Sequence, residues 1–285
     1  MVKKSVDKKD NENNIAYIPI CRECGVMVTD ENWYVSDKKR YSYICKKCNY
    51  KRNKKWQQNN RDRYNQLVRE SNHRLWNEVI DRYGGKCACC GEIRREYLSI
   101  DHINGSVNKH KKEMGFSSSQ ALYHWLRENN YPEGFQVLCF NCNYGKSNYS
   151  VCPHNKEIFE EEFEAKHKTV SNKSKWNLRL NIIKGYGGKC ELCGEDNPHF
   201  LTIDHINGGC YKERKMLGDW YKFYKKLRDN NYPKDNYRLL CYNCNYALGF
   251  NRITEEEIIQ QNNIDNKENI IIKKLKNPLL QNCKF

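Results

Sequence analysis

Residues 98–105 read LSIDHING, and residues 201–208 read LTIDHING. Each stretch lies between two Cys-x-x-Cys pairs. The pairs around the first stretch occur in YGGKCACCGE (83–92) and VLCFNCNY (137–144). Those around the second occur in YGGKCELCGE (186–195) and LLCYNCNY (239–246). The second copy begins 103 residues after the first and ends 102 residues after it. Such self-similarity indicates two copies of one small structural unit.

The composition excludes one large hydrophobic core and favours a polyanionic partner. Only 38% of the 285 residues are hydrophobic, whereas 30% are charged. Chains with so little apolar material need additional cross-links, such as bound metal ions. Lysine and arginine number 50 against 35 aspartate and glutamate residues, which gives a formal net charge of +15. This surplus favours nucleic acid as the partner, although a merely soluble basic protein would show it too.

The 16 cysteines indicate metal binding in a reducing compartment. The first residues, MVKKSVDKKDNENN, lack the apolar stretch of a secretory signal, and no apolar run approaches the roughly 18 residues of a membrane span. We therefore expect a protein that is not secreted and has no membrane partner, working in the cytoplasm or wherever its nucleic acid lies. In that setting, paired cysteines bind metal more often than they form disulfides.

The spacing of the cysteine pairs predicts three structural zinc ions, each held by four thiolates. The three ligand groups are Cys21, Cys24, Cys45 and Cys48; Cys87, Cys90, Cys139 and Cys142; and Cys190, Cys193, Cys241 and Cys244. A closed four-sulfur site is structural and leaves no position for a substrate. Cys152 and His154 of VCPH could also bind metal, but the pattern favours their being incidental.

The motifs divide the chain into small modules joined by helices, which is an α+β fold class. The expected parts are a zinc ribbon at 1–50, a basic linker helix at 51–83, a first module at 84–156, a linker and helix at 157–186, a second module at 187–252 and a polar tail at 253–285. Apolar residues at helical spacing predict a packing helix before the first module, with one face made of Tyr64, Leu67, Val68, Leu75, Trp76, Val79, Ile80 and Tyr83. A core helix within the second module is predicted from Trp220, Phe223, Tyr224 and Leu227, with Asp219 as its cap.

A basic cluster on the linker helix is the candidate contact with nucleic acid. It lies in YKRNKKWQQNNRDR (50–63) and consists of Lys51, Arg52, Lys54, Lys55, Arg61 and Arg63. The same residues could form a solvated face, but beside a zinc module we favour contacts with phosphates.

Each copy also carries Asp-His after its first cysteine pair and an asparagine directly after its second pair. These residues are Asp101, His102 and Asn143 in the first copy and Asp204, His205 and Asn245 in the second. Carboxylate and amide oxygens suit Mg²⁺ or a similar cation, and a neutral imidazole can accept a proton from water. A cation on a phosphate and a base on water would together hydrolyse a phosphodiester. The competing interpretation is a pair of buried structural histidines.

This combination of motifs resembles the HNH endonucleases of the ββα-metal (His-Me finger) fold, and within them the zinc-bound branch that includes phage recombination endonuclease VII. The resemblance covers about residues 84–150 and 187–250 and implies two tandem ββα-metal modules. The general bases that it implies are His102 and His205, and the catalytic-metal ligands that it implies are Asp101, Asn143, Asp204 and Asn245. The pair Cys45-x-x-Cys48 is also followed by an asparagine, Asn49, but has no Asp-His upstream. We therefore expect Asn49 to be a cap or turn residue.

The supporting positions of the family pattern differ between the copies. The middle asparagine matches Asn236 in the second copy but Gly134 in the first, and a lysine three residues after the last ligand is present only as Lys146. His110 of the first copy corresponds to Glu213 of the second. Neighbouring strand residues point to opposite faces, so Asp and His can serve one phosphate only if the chain bends where the following Asn-Gly predicts.

The sequence therefore predicts a DNA endonuclease that acts on double-stranded or branched DNA. Its cofactors would be about three structural Zn²⁺ ions and a catalytic Mg²⁺ or similar divalent cation. RNA is an alternative substrate, because a basic surface does not distinguish it from DNA. The alternative function is a non-catalytic, zinc-dependent nucleic-acid-binding protein with decayed HNH modules. The sequence leaves the target site, the more active module and the oligomeric state open.

Overall fold

The computed structural model describes residues 19–34, 36, 43–103, 115 and 118–264. The chain divides into two compact units, with the boundary between His73 and Arg74. Helices are combined with small antiparallel sheets, which confirms the predicted α+β fold class. Among the described residues, no helix is both long enough and apolar enough to cross a membrane.

The first unit has a very small core built around cysteines. Its buried apolar residues are Cys21, Val28, Trp33, Ile44, Cys45 and Cys48. An isolated antiparallel bridge joins Ile20 to Met27, and helix α1, Lys46–Asn59, begins directly after Cys45. Because cysteines make up half of this core, apolar burial alone is too small to hold the unit together, and a bound metal would supply the difference.

Helix α2, Arg61–Arg82, buries only its C-terminal part. Leu75, Trp76, Val79 and Ile80 are buried, whereas Leu67 and Val68 are 39% and 38% exposed. The prediction of one apolar face along the whole helix is therefore wrong for its N-terminal half.

Two antiparallel hairpins form the frames of the repeated modules. The strands are β1, Leu98–His102; β2, Phe135–Cys139; β3, Leu201–His205; and β4, Tyr237–Cys241. Strand β1 pairs with β2 and β3 with β4, in equivalent registers that place Leu98 opposite Cys139 and Leu201 opposite Cys241. Both first strands end at their histidine, which is where the Asn-Gly that follows predicts a change of direction. Asn104 and Gly105 themselves lie outside the described residues.

Helices interrupt and follow the hairpins. They are α3, Ser119–Glu128; α4, Phe140–Tyr149; α5, Lys156–Lys166; α6, Val170–Gly185; α7, Cys210–Leu217; α8, Trp220–Asp229; and α9, Tyr242–Gly249. A short 3₁₀ helix, Arg95–Tyr97, precedes β1, and residues 255–264 are also helical. Among the described residues, α3 lies between the paired strands of the first module, and α7 and α8 lie between those of the second. A further helix, α4 or α9, starts immediately after the second strand of each module.

The helix expected before the second module is present as α6, which buries Leu178 and Ile182. The part of 157–186 expected as a linker also contains a helix, α5, which buries Phe159. In α8, Tyr224 and Leu227 are buried as predicted, but Trp220 is 49% exposed and does not belong to the core. The predicted cap is confirmed, since the Asp219 side chain accepts a hydrogen bond from the backbone N–H of Tyr221.

The two modules pack against each other through a nearly symmetric contact between α4 and α9. The backbone N–H of Asn141 donates to Oδ1 of Asn243 at 2.9 Å, and the N–H of Asn243 donates to Oδ1 of Asn141 at the same distance. Around this pair, Phe140 stacks on Tyr246 and Tyr144 on Tyr242, with ring centroids 5.0 and 3.6 Å apart. Reciprocal contacts of this kind are the signature of a two-fold interface, here formed within one chain.

Candidate functional site

The cysteines predicted as zinc ligands converge in three groups of four. Within each group the sulfur atoms all lie within 4.8 Å of one another. The Sγ–Sγ distances of Cys24–Cys45, Cys90–Cys139 and Cys193–Cys241 are 3.7, 3.7 and 3.6 Å. Four sulfurs bound to zinc at about 2.3 Å would be separated by about 3.8 Å along each tetrahedral edge. Both the spacing and the chemistry of these donors therefore fit zinc.

Each module cluster combines a turn with the start of a helix. In the first module, Gly91 follows Cys90 with a φ of 78°, and its N–H donates to the carbonyl of Cys87 at 3.0 Å, which closes the turn around the first cysteine pair. Cys139 is the N-cap of α4, and its Sγ accepts from the N–H of Cys142 at 3.5 Å. Thiolates are stabilised at a helix N-terminus, where backbone N–H groups point at them.

The thiols of these clusters interact strongly with one another. Side-chain hydrogen bonds with Cys139 and Cys142 lower the pKa of the Cys90 thiol to about 7. The same contacts raise the pKa of the Cys139 and Cys142 thiols, so the group shares protons that zinc would displace on binding.

A fourth group of possible ligands was not predicted. Cys89, Cys142, Cys152 and His154 also have their ligand atoms within 4.8 Å of one another. Nδ1 of His154 lies 3.2 Å from Sγ of Cys152, 3.4 Å from that of Cys142 and 3.9 Å from that of Cys89. The expectation that Cys152 and His154 are incidental is therefore wrong, because both meet the cysteines of the first module. The Cys-x-His spacing in VCPH was the signal that could have identified them.

Asp101 of the first module is buried and bonded to a lysine. Its Oδ2 accepts from Nζ of Lys146 at 2.6 Å and from Nε2 of Gln136 at 2.8 Å. The same ammonium donates to the carbonyl oxygen of His102 at 2.6 Å. Lys146, expected to support the site, thus links helix α4 to the end of β1.

Asn143 faces the same side of β1 as Asp101 does. Its Nδ2 donates to Oγ of Ser99 at 3.0 Å, and Ser99 and Asp101 are two residues apart on the strand. Asn143 and Lys146 are three residues apart on α4, so one face of that helix meets one face of β1. This arrangement brings the predicted aspartate and asparagine together on one side of the hairpin.

The ring of His102 packs on the opposite side of the strand. It is buried, and its centroid lies 4.7 Å from that of Phe135, the residue paired with it across the hairpin. His102, Ser99 and Asn143 nevertheless line one cavity of about 550 Å³ between β1, α3 and α4. The histidine and the asparagine of the first module therefore border the same cavity.

The second module holds its aspartate with an arginine instead of a lysine. Oδ2 of Asp204 accepts from Nε of Arg238 at 2.9 Å, and Nη2 of Arg238 donates to Oε1 of Glu255 at 2.7 Å. Arg238 stands directly opposite Asp204 in the hairpin, and Leu248 occupies the position that corresponds to Lys146. Arg238 was not predicted, because only the register of the two strands identifies it as the partner of Asp204.

His205 is bonded to a carboxylate. Its Nε2 lies 2.7 Å from Oε2 of Glu213, which also accepts from the hydroxyl of Tyr237 at 3.0 Å and, through Oε1, from Nζ of Lys226. Burial raises the pKa of Glu213, but the hydrogen bonds from Lys226, His205 and Tyr237 outweigh it and leave the pKa below its ordinary value. The carboxylate is therefore ionised and can only accept, so Nε2 of His205 is the donor in this hydrogen bond.

Of the other predicted residues of the second site, Asn236 lines a cavity together with His205 and Asn245 does not. His205 lines a cavity of about 610 Å³ and a smaller one of about 330 Å³, and Asn236 lines the smaller one. The carbonyl of Asn236 accepts from the N–H of Ile206 at 3.0 Å, so it anchors the chain just after the histidine. Asn245 is half-buried on α9 and is not among the residues that line these two cavities. His110 lies outside the described residues.

The predicted nucleic-acid contacts are exposed on two helices. Lys51, Arg52, Lys54 and Lys55 lie on α1, and Arg61 and Arg63 lie at the start of α2. Trp56, among these side chains, is 45% exposed. Asn49 is buried within α1, whose N-cap is Cys45, so the expectation that Asn49 is a cap or turn residue is wrong.

Comparisons of the chain with protein-family models, with curated proteins and with solved structures found no match. The resemblance to HNH endonucleases therefore depends on the residues and spacings of this chain alone.

Proposed function

We propose that the chain is a divalent-metal-dependent DNA endonuclease with one hydrolytic centre in each module. The observation that carries the proposal is a repeated geometry, in which a strand ending in Asp-His is followed by a helix that starts at a cysteine pair and bears an asparagine. Cysteine-bound zinc would hold these elements together where the apolar core is small.

The donor set of each centre suits a hard cation. Asp101 and Asn143 would hold it in the first module, and Asp204 and Asn245 in the second. Among the described residues, the bonds to both aspartates reach Oδ2. Oδ1 of each carboxylate therefore remains as a ligand even while Lys146 or Arg238 keeps its bond. When bound, the cation would neutralise negative charge on the phosphate and the leaving oxygen.

The imidazoles would remove a proton from the attacking water. In the second module, Glu213 fixes the His205 ring through Nε2, so Nδ1 would accept the proton. The same carboxylate holds the ring in one orientation, as in other carboxylate–histidine pairs. We therefore expect the second module to contribute more of the cleavage than the first.

The cleavage test uses supercoiled plasmid, Mg²⁺ and four proteins. These are the unchanged chain, His102→Ala, His205→Ala and the double variant. Loss of a general base lowers a rate by about 100-fold or more, so the double variant should leave the plasmid supercoiled. Among the single variants, His205→Ala should lose more activity than His102→Ala.

Two controls make this experiment decisive. Binding to a short DNA duplex should be almost unchanged in the double variant, because neither histidine belongs to the basic cluster on α1 and α2. A parallel reaction with single-stranded and duplex RNA distinguishes the two substrate classes. Cleavage that survives both histidine substitutions would show that the bases are assigned wrongly.

The second candidate function is zinc-dependent nucleic-acid binding without catalysis. The observation that favours it is the ion pair on each aspartate, with Lys146 on Asp101 and Arg238 on Asp204. The ammonium or guanidinium group already neutralises part of the charge of each carboxylate. A module that has lost its catalytic metal would keep such an ion pair. Salt-sensitive binding to DNA, together with intact plasmid at every Mg²⁺ concentration, would favour this function.

A further inference from the structure

Cys142 belongs to two ligand groups at once. It lies with Cys87, Cys90 and Cys139 in one group, and with Cys89, Cys152 and His154 in the other. We propose that the first module holds two zinc ions, that the Cys142 thiolate bridges them, and that Cys89, Cys152 and His154 complete the second site. This proposal does not depend on the nuclease function.

The distances within the second group match those of a zinc site. With Zn–S of about 2.3 Å and Zn–N of about 2.0 Å, a tetrahedral site places its nitrogen about 3.5 Å from each sulfur. The separations of His154 Nδ1 from the sulfurs of Cys152, Cys142 and Cys89 are 3.2, 3.4 and 3.9 Å. Three soft thiolates and an imidazole are a common ligand set for structural zinc.

The charges also balance when the second ion binds. A zinc ion held by four thiolates carries a net charge of about −2. The second ion would add two positive charges, and the thiolates of Cys89 and Cys152 would add two negative ones. Because His154 is a neutral ligand and Cys142 is shared, the net charge of the cluster would not change. The protons of the two added thiols would pass to solvent on binding.

Local backbone features bring the distant ligands to the first site. Ser150 ends α4 with a φ of 67°, which turns the chain back along the helix. Pro153 then packs on Gly145, where a Cβ would lie only 2.6 Å from Cδ of the proline. The N–H of Asn155 donates to the carbonyl of Cys152 at 2.9 Å and closes the turn. Glycine at 145 is therefore required for this loop to place Cys152 and His154 against Cys142.

The second module lacks the additional ligands and the glycine of this loop, and it serves as an internal control. Leu192 stands in place of Cys89, and Ala247 stands in place of Gly145. Thr254 and Glu256 stand in place of Cys152 and His154. Among the described residues, Cys244 joins a single group, with Cys190, Cys193 and Cys241. The repeated fold thus needs only one zinc ion per module, and the additional ligands of the first module call for another explanation.

Zinc content under reducing conditions provides the first test. The full-length chain, purified without added metal, should contain about four zinc ions, one for each of the four groups. Cys89→Leu, Cys152→Thr and His154→Glu, combined in one variant, give the first module the residues of the second and should lower the content to about three. Cys210→Ser is the matched control, because Cys210 is exposed and in no group; it should keep four.

X-ray absorption at the zinc edge provides a second test that does not depend on full loading of the other sites. Two ions that share one sulfur should lie roughly 4 Å apart, and this zinc–zinc distance should vanish in the triple variant. The single variant Cys89→Leu should lose it as well, which guards against misfolding of the triple variant. Three zinc ions in the unchanged chain, or four in a folded triple variant, would overturn the proposal. Absence of zinc–zinc scattering from a chain that holds four ions would overturn the bridge.

Discussion

Lys146 and Arg238 bind equivalent aspartates from different parts of the two modules. Lys146 reaches Asp101 from helix α4, whereas Arg238 reaches Asp204 from the neighbouring strand. The lysine is a flexible point charge, and the arginine is fixed further by Glu255. A cation approaching Asp101 therefore meets a more easily displaced partner than one approaching Asp204. The histidines favour the second module instead, because Glu213 orients His205 through a hydrogen bond.

His199 is a half-buried histidine surrounded by aromatic rings. Its ring stacks on Trp176 at 4.8 Å and lies 4.7 Å from Phe159 and 5.0 Å from Phe163. Burial lowers the pKa of His199 from 6.5 to about 4, with further contributions from Arg179 and His167. Between these two values the unfolded chain takes up a proton that the folded protein does not, so stability is lost as the pH falls through this window.

The variant His199→Phe tests this source of acid sensitivity. Between pH 7 and pH 5 the unchanged chain should lose about 1 kcal/mol more of its unfolding free energy than the variant does, after allowance for partial exposure. Urea unfolding at several pH values measures the difference. Acid-induced release of zinc affects both proteins alike and cancels in the comparison. Equal losses in the two proteins would show that His199 does not contribute.

At the scale of elements, two arginines hold the starts of the first strands. Arg179 on α6 donates to the carbonyls of Leu201 and Pro198 and to the hydroxyl of Tyr224. Arg252, after α9, donates to the carbonyls of Leu98 and Glu96 at 2.9 and 3.2 Å. Each hairpin is thus attached to a neighbouring element by a guanidinium group instead of by a larger apolar surface.

Replacement of Arg179 should destabilise the second module strongly. Arg179→Met removes the donors of three acceptors, and unpaired buried groups of this kind cost about 3–5 kcal/mol in total. Arg252→Met is the matched variant and should cost less, because Arg252 is less buried and bonds two acceptors. Urea unfolding of both variants gives the comparison. A smaller loss for Arg179→Met than for Arg252→Met would contradict this view of the hairpins.

Short-range patterns predicted most of the elements that carry the site. The IDH strands and the cap at Asp219 follow from local spacing, and the repeated motifs predicted which cysteine pairs converge. Contacts between side chains far apart in the sequence could not be predicted in the same way. Arg238 becomes the partner of Asp204 only through strand register, and Cys152 joins Cys142 only because Pro153 packs on Gly145. The exposure of Leu67 and Val68 was also not predicted, because apolar periodicity does not show where the surface that packs against a helix ends.

At the scale of the whole molecule, the basic cluster on α1 and α2 is separate in sequence from the proposed hydrolytic centres. We expect binding to DNA to depend on the cluster and cleavage on the modules. Each phosphate contact contributes about 0.9 to the slope of log affinity against log salt concentration on duplex DNA. The salt dependence of binding therefore measures how many of these side chains touch phosphate.

The variant with glutamine at Lys51, Arg52, Lys54 and Lys55 tests this division. Its binding to duplex DNA should be weaker, and its salt slope should be less steep by up to about 3.6. The measurement is a binding titration at several salt concentrations, with the histidine double variant as the control that keeps the full slope. An unchanged slope in the glutamine variant would place the DNA contact elsewhere.

We propose an oxygen-bound cation between the Asp and Asn side chains of a module, separate from the zinc expected at the cysteines. Anomalous X-ray scattering from crystals of the zinc-loaded protein with DNA and Mn²⁺ tests it most directly. We predict manganese at about 2.1 Å from the oxygens of Asp101 and Asn143, of Asp204 and Asn245, or of both pairs. Crystals with bound DNA and zinc at the cysteines, but with no manganese at either pair, would contradict the account.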